Sequence, residues 1–199
     1  MRPRLLSLLG LALSQATTAF TPLNITAIAT RDGYSVLECW QLSSVPVDAR
    51  AALNYAVGGD MTRAEWSIIR PRTTVGEAWA PAILMFSLAD GMTRLSVILN
   101  GLIRITAPAS KNASMPLPGS STTVRSPPEQ RVAYIQPGSV TSSLVIAADL
   151  KAASTLAGHF TEFPGDEPTV LVQVPWDGDA APEHTVVGEG PCEKGTWTF

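Results

Sequence analysis

Histidine is nearly missing from this 199-residue chain: there are two, His159 and His184, and none between Phe20 and Gly158. A catalytic divalent metal typically takes three protein ligands, most often imidazole with a carboxylate, around one open position. The chain therefore offers no ready metal set, and nothing in it calls for a cofactor. Cysteine is as scarce, with only Cys39 and Cys192. In an oxidising compartment such a pair is more readily bridged than free; the alternative is two small buried apolar side chains. Neither cysteine has a histidine or a basic cluster beside it in sequence to activate it as a nucleophile. There is no Gly-x-Ser-x-Gly elbow, no glycine-rich phosphate loop, no internal repeat and no heptad pattern. No apolar run after residue 19 approaches the roughly 20 residues of a spanning helix.

Residues 1–19 have the three parts of a secretory signal peptide. Arg2 and Arg4 give a positive start, residues 5–13 are an apolar run too short to cross a bilayer, and Thr17-Thr18-Ala19 supplies small residues at a cleavage position. A buried N-terminal helix is the alternative reading. Cleavage would leave a soluble, secreted domain at 20–199 with no membrane attachment. Without Arg2 and Arg4 the chain has 12 basic against 17 acidic residues, a net charge of −5 in place of −3. Scattered, mildly acidic charge is no footprint for nucleic acid or anionic lipid. Two acceptor sequons, at Asn24 and Asn112, suit the same secretory route as glycosylation sites.

What the chain does have is 16 prolines and 15 glycines punctuating short apolar runs. That spacing favours many strands and turns over long helices, so the expected class is all-β. Strands are expected at 34–42, 65–70, 131–135, 143–147 and 169–174. Residues 51–57 are expected to form a strand or a short helix, and 82–88 are a further apolar run. Asn100-Gly101 between 95–99 and 102–106 is the pair that suits a tight hairpin turn. Residues 108–130, rich in Pro, Ser and Thr, read as an exposed loop. The tail from 176 is expected to drape over the domain, pinned by Cys192.

The order of these pieces resembles the cupin (RmlC-like) jelly roll. The hairpin around Asn100-Gly101 looks like the end of the first cupin segment, and Tyr134-Ile135-Gln136-Pro137-Gly138 looks like the start of the second. Ile146-Ala147-Ala148-Asp149 followed by Gly158-His159-Phe160-Thr161 is similar to small cupin-like proteins with a Gly-His-x-Thr element. The resemblance covers residues 94–174. It implies a double-stranded β-helix barrel with a ligand in its mouth, and cupin-like chains commonly dimerise, so a homodimer is also expected. Metal-binding cupins take two histidines and a glutamate from the first segment and a histidine from the second. This chain has only the last, so the implied branch is one lacking the metal-binding histidines.

The chemistry then falls to few residues. His159 is the candidate general acid or base, because imidazole titrates near neutrality; the bland alternative is a histidine that only bonds a nearby carbonyl. Asp149 would orient its ring, or else cap a turn. Glu65 and Glu77 stand near Trp66 and Trp79, and a carboxylate beside an indole in a cavity can serve as an acid. Glu65 is the third catalytic candidate, and Trp66, Trp79 and Thr161 are the substrate-binding candidates. Trp66 and Trp79 can equally pack a core, Trp40 can pack on a disulfide, and His184 reads as exposed in the tail. Two functions fit. One is a metal-independent isomerase, lyase or cyclase acting on a small organic molecule, as in secondary-metabolite tailoring. The other is a secreted small-molecule-binding or structural protein without catalysis.

Overall fold

A computed structural model describes residues 22–49, 52–58, 64–80, 93–109, 129–138, 143–176 and 181–193. The signal at 1–19, the run at 82–88, the sequon at Asn112 and most of the 108–130 loop lie outside the described residues. Within them the chain is all-β, with thirteen strands and no helix. In chain order they are β1 (Asn24–Arg31), β2 (Tyr34–Leu42), β3 (Val47–Ala49), β4 (Ala52–Asn54), β5 (Glu65–Ile69) and β6 (Thr73–Ala78). There follow β7 (Arg94–Asn100), β8 (Ile103–Pro108), β9 (Gln130–Ile135), β10 (Leu144–Ala147), β11 (His159–Phe163), β12 (Thr169–Pro175) and β13 (His184–Glu189).

Two stacked sheets carry the fold. The large one has seven strands in the order β13-β2-β1-β10-β7-β12-β5, and the small one has four, β6-β11-β8-β9. β3 and β4 form a separate two-stranded ribbon. From β5 to β12 the chain keeps changing sheets: only β8 and β9 are consecutive members of the same one. Nearly all pairing is antiparallel; the exception between named strands is β1 beside β10. The expected closed barrel is not what the described residues form, because no ladder joins the two sheets.

The expected hairpin at Asn100-Gly101 is also overturned. β7 pairs with β10 and β12 in the large sheet, while β8 pairs with β9 and β11 in the small one. Asn100-Gly101 is therefore a corner from sheet to sheet. Gly101 has φ +86°, and a Cβ there would lie 2.4 Å from Thr169 Oγ1 and 2.7 Å from its Cα. The glycine thus serves a positive φ and a close backbone approach together. The same local signal marks a two-residue hairpin, and only long-range pairing separates the two outcomes.

Strand alternation sorts the large sheet into two faces. Leu23, Ile25, Ala27, Val36, Trp40, Leu42, Leu95, Ile146 and Trp176 form one buried cluster on its outer side, with Tyr55 and Val57 packed against them. Gly58 lies so near Trp176 that an added Cβ would fall 1.6 Å from the indole nitrogen. The inner side contributes Ile28, Leu37, Ile98 and Val145 to a second cluster between the sheets. Ile103, Ile105, Ala107, Ala133, Ile135 and Phe163 meet them from the small sheet. Strands β1 and β2 are buried on both faces for this reason, and Glu38 can stay inside only because it is bonded. Arg31 Nε and Trp40 Nε1 each donate to it at 2.6 Å. That hydrogen bond, and then the carboxylate charge, hold the Arg31 guanidinium above its ordinary pKa.

Cys39 and Cys192 are bridged, with Cα atoms 4.7 Å apart across 153 residues of sequence. Closing so long a loop is worth about 4–5 kcal/mol on the chain-entropy account. The bond is consistent with an oxidising, secretory environment. Trp40 does not pack on it, because adjacent strand residues face opposite sides and the indole points into the outer cluster. It stacks instead on His184, with ring centroids 3.5 Å apart and planes 11° from parallel. His184 is therefore no tail residue: it opens β13, which extends the large sheet beyond β2.

Candidate functional site

The inner cluster fills only part of the space between the sheets. On the side of β5, β6, β11 and β12 a cavity of about 860 Å³ remains, within the size range of small-molecule sites. Its large-sheet wall includes Ser67 of β5, Gln173 of β12, and Arg94 and Ser96 of β7. Its small-sheet wall includes His159, Thr161 and Phe163 of β11. Glu65, Trp66, Trp79 and the exposed Arg70 also border it.

His159 is held by a relay that starts on the large sheet. β10 runs parallel to β1, and Ala148 N donates to Ile28 O at 2.8 Å, which fixes where the chain leaves β10. Asp149 follows, with no exposed surface. The chain turns at Leu150, whose carbonyl accepts from Ala153 N and Ser154 N. Trp79 Nε1 donates to Ser154 O at 2.8 Å, and Lys151 Nζ lies 4.7 Å above the Trp79 ring. Glu77 accepts from Gly158 N at 3.0 Å, and the chain then enters β11 with His159 opposite Ala78. Gly158 itself is forced: a Cβ would meet Ala78 O at 2.3 Å and Trp79 Cε2 at 2.8 Å.

Three donors converge on the Asp149 carboxylate. His159 Nδ1 is 2.7 Å from Oδ2, Ser35 Oγ donates to the same oxygen at 2.6 Å, and Ala80 N donates to Oδ1 at 3.1 Å. Ser35 is in place because the β1–β2 turn at Asp32-Gly33 is tied to the loop after Asp149. Its amide donates to Ala157 O at 2.8 Å, and Leu156 N donates to Gly33 O at 2.7 Å. With serine and amide both donating, the carboxylate acts as acceptor throughout, so Nδ1 carries a proton. In the neutral ring the lone pair then sits on Nε2, the nitrogen left for the cavity. Serine, aspartate and histidine meet here, yet not as a hydrolytic triad, since the hydroxyl is spent on the carboxylate and not on the imidazole.

The sequence-derived candidates come together in part. His159, Thr161, Trp66, Trp79 and Glu65 all border the cavity, and Asp149 stands behind His159. Asp149 is bonded to the His159 ring and to the amide of Ala80, which is 69 residues away in sequence, so the amide it holds is not that of a local turn. Glu65 is exposed on the edge strand β5 at the cavity rim, so water screens it. Trp66 is 64% exposed, and Glu77 is exposed and tied to Gly158. Asn24 is buried, 4% exposed, and accepts from Gln41 Nε2 at 3.4 Å, so a glycan there requires the side chain to turn outward. Among the described residues no group of His, Cys, Asp and Glu is gathered as a metal would need.

Sequence reasoning missed Ser35, Ser67, Arg94, Ser96 and Gln173. Each alternates with apolar neighbours, the pattern of a half-buried strand with its polar face in water. Here Leu95 and Val97 of β7 face the covered outer side of the sheet, and Arg94 and Ser96, on the same face as Ile98, border the cavity. A buried apolar set on the far side of one sheet was the missing signal. Searches against protein-family models, curated proteins and solved structures return no match, so the reading of this site rests on its own geometry.

Proposed function

We propose that the chain is a secreted, cupin-like jelly-roll protein that moves a proton on a small organic molecule held between its sheets. The sheet orders β5-β12-β7-β10 and β6-β11-β8-β9, with the chain changing sheets between them, support the jelly-roll part. The observation that carries the chemical part is the 2.7 Å contact of His159 Nδ1 with fully buried Asp149 at the wall of the cavity. It prepares Nε2 as a base of fixed tautomer facing bound substrate, and the imidazolium so formed would stay paired with a carboxylate. Isomerisation, dehydration and cyclisation all need such a group and no further reactant. Thr161 and Trp79 border the bound molecule, while Trp66, which alternates with Ser67 and pairs with Val172, turns its indole to the other side of the edge strand. A protein that only stored a ligand would not need an aspartate sequestered behind its histidine.

The test uses protein from a secretory host and a small-molecule extract of the cells that make it, mixed in deuterated water. Mass spectrometry should find a compound that is converted, or gains deuterium, with the wild type and not with His159→Gln. Asp149→Asn should slow the same change by about 10²-fold or more, as loss of the tautomer-fixing partner does elsewhere. A compound retained but never changed or labelled would leave the non-catalytic binding reading in its place.

A further inference from the structure

We propose that this cavity takes a neutral, mostly apolar carbonyl compound, with the Ser96 and Thr161 hydroxyls donating to its carbonyl oxygen and its hydrocarbon body at the closed end. The proposal deepens the reading above and rests on it for the role of His159. One end of the sandwich is closed by crossings from sheet to sheet. These are residues 70–72 between β5 and β6, Asn100-Gly101 between β7 and β8, and residues 164–168 between β11 and β12. They are tied to one another, since Arg72 N donates to Gly165 O at 3.1 Å and Asn100 Nδ2 donates to Pro168 O at 2.8 Å. The lining of the cavity changes character toward that end. Along β11 the side chains are His159, Thr161 and then Phe163; along β12 Gln173 gives way to Leu171, and along β5 Ser67 gives way to Ile69. A molecule that matches this lining has an apolar end beside Phe163, Leu171 and Ile69, and carries its polar atoms nearer His159.

The groups at the polar end decide which polar atoms these are. Gln173 and Ser67 are bonded to each other, and Arg94 is bonded to Gln173 and has a further partner. With Arg94 engaged and Arg70 exposed at the rim, an anion would enter the cavity with its charge unpaired, which is costly. Ser96 and Thr161 differ. Among the described residues neither hydroxyl has a hydrogen-bond partner, although Ser96 is only 7% exposed and Thr161 is half-buried. Both border the cavity, Ser96 from the large sheet and Thr161 from the small one. A buried hydroxyl left unbonded costs free energy, and an acceptor on a bound molecule removes that cost. A carbonyl oxygen is neutral and accepts two such bonds. Thr161 lies two residues from His159 on one face of β11, about 7 Å along the strand, so a single small molecule meets both. Nε2 is an acceptor, and the carbon beside a carbonyl is the one whose C–H the carbonyl acidifies. The proton moves to Nε2, and the C–H electron pair forms the C=C bond of an enolate whose oxygen charge the two hydroxyls hold. Return of the proton to the other face, or to a carbon conjugated with the enolate, completes an isomerisation with no second reactant.

The probes are 2-tetralone, 2-decalone and 4-phenylcyclohexanone, each compared with the hydrocarbon and the carboxylate of the same ring skeleton by calorimetry and by quenching of tryptophan fluorescence. At least one ketone should bind the wild type about tenfold or more tightly than its carboxylate, because the anion gives up hydration for no paired charge. Ser96→Ala and Thr161→Val should each weaken that ketone about fivefold, the worth of one neutral hydrogen bond, and leave its hydrocarbon unchanged. Neither variant removes a bond within the protein, so thermal unfolding of both should match the wild type. If no ketone binds, if a carboxylate binds as tightly as its ketone, or if either variant binds the ketone as the wild type does, the proposal fails. Deuterium uptake beside the carbonyl of the bound ketone should be faster with the wild type than with His159→Gln. If the ketone binds through Ser96 and Thr161 while uptake is the same with both proteins, the catalytic reading fails alone.

Discussion

The two halves of the space between the sheets are built differently. Toward β2 and β9 it is closed by Leu37, Ile98, Ile135 and Ala133, all at most a few per cent exposed. Toward β5, β6 and β12 it is hollow and lined by Ser67, Arg94, Ser96, Gln173, His159 and Thr161. Ile28, Ile103, Ile105, Val145 and Phe163 belong to both and form the boundary. The filled half can hold the sheets together, and the disulfide ties the segment after β13 to β2 within the large sheet, which leaves the other half free of that duty. Polar groups in a closed core carry a desolvation cost unless bonded. In the hollow half Arg94, Gln173 and Ser67 are bonded in a chain, and Ser96 and Thr161 border the cavity, as in a ligand site.

The largest difference between the halves should appear on truncating the filled one. Ile98 is 2% exposed and sits on the inner face of β7, so Ile98→Ala removes packing and leaves a void. The expected loss is about 3 kcal/mol of unfolding free energy, measured by denaturant titration with the disulfide intact. A loss under about 1 kcal/mol would mean that the space on that side collapses easily and is no firmer than the hollow side.

Next in size is a substitution at the seam between the halves and the reacting group. Gly158→Ala puts a methyl 2.3 Å from Ala78 O, against backbone that cannot swing away, so β6 and β11 must separate locally. The expected cost is about 1–3 kcal/mol. The more telling readout is the ring: nitrogen NMR of His159 should show the Nδ1–H tautomer in the wild type and a mixture in the variant. A variant with full stability and the same tautomer would show that the Gly158 approach does not position His159.

Much of this was legible in the residues. Tyr34–Leu42 is a strand with the same bounds that its pattern suggests, and the strands at 131–135, 143–147 and 169–174 shift by a residue at most. Cys39 and Cys192 are bridged, and Asp149 and His159, ten residues apart, are in contact. What could not be read is non-local. Asn100-Gly101 has the same local preferences at a hairpin and at a corner between sheets. β6 and β11 have too few apolar residues to announce themselves, because one side of each faces the hollow half or its rim. Arg94, Ser96 and Gln173 look like a solvent face for as long as the outer cover of the large sheet is unknown. His184 looked like tail because the stacking partner that orders it, Trp40, is far away in sequence.

The smallest effect is the one that says most about why the hollow half exists. Thr161 lies on β11 two residues from His159, half-buried, with its side chain on the cavity side. Thr161→Val keeps the shape and the β-branch and exchanges a hydroxyl for a methyl. In a packed core that exchange leaves a neighbour unsatisfied and costs more than size alone suggests. At a cavity wall it should change unfolding free energy by no more than about 0.5 kcal/mol. Binding of a small molecule in the cavity should nevertheless weaken, because the wall loses a hydroxyl where the ligand is bordered. Stability unchanged with affinity reduced would mean that the polar lining is kept for an occupant. A loss of stability comparable to that of Ile98→Ala would mean instead that Thr161 helps hold the sandwich, and the division into a structural half and a binding half would no longer stand.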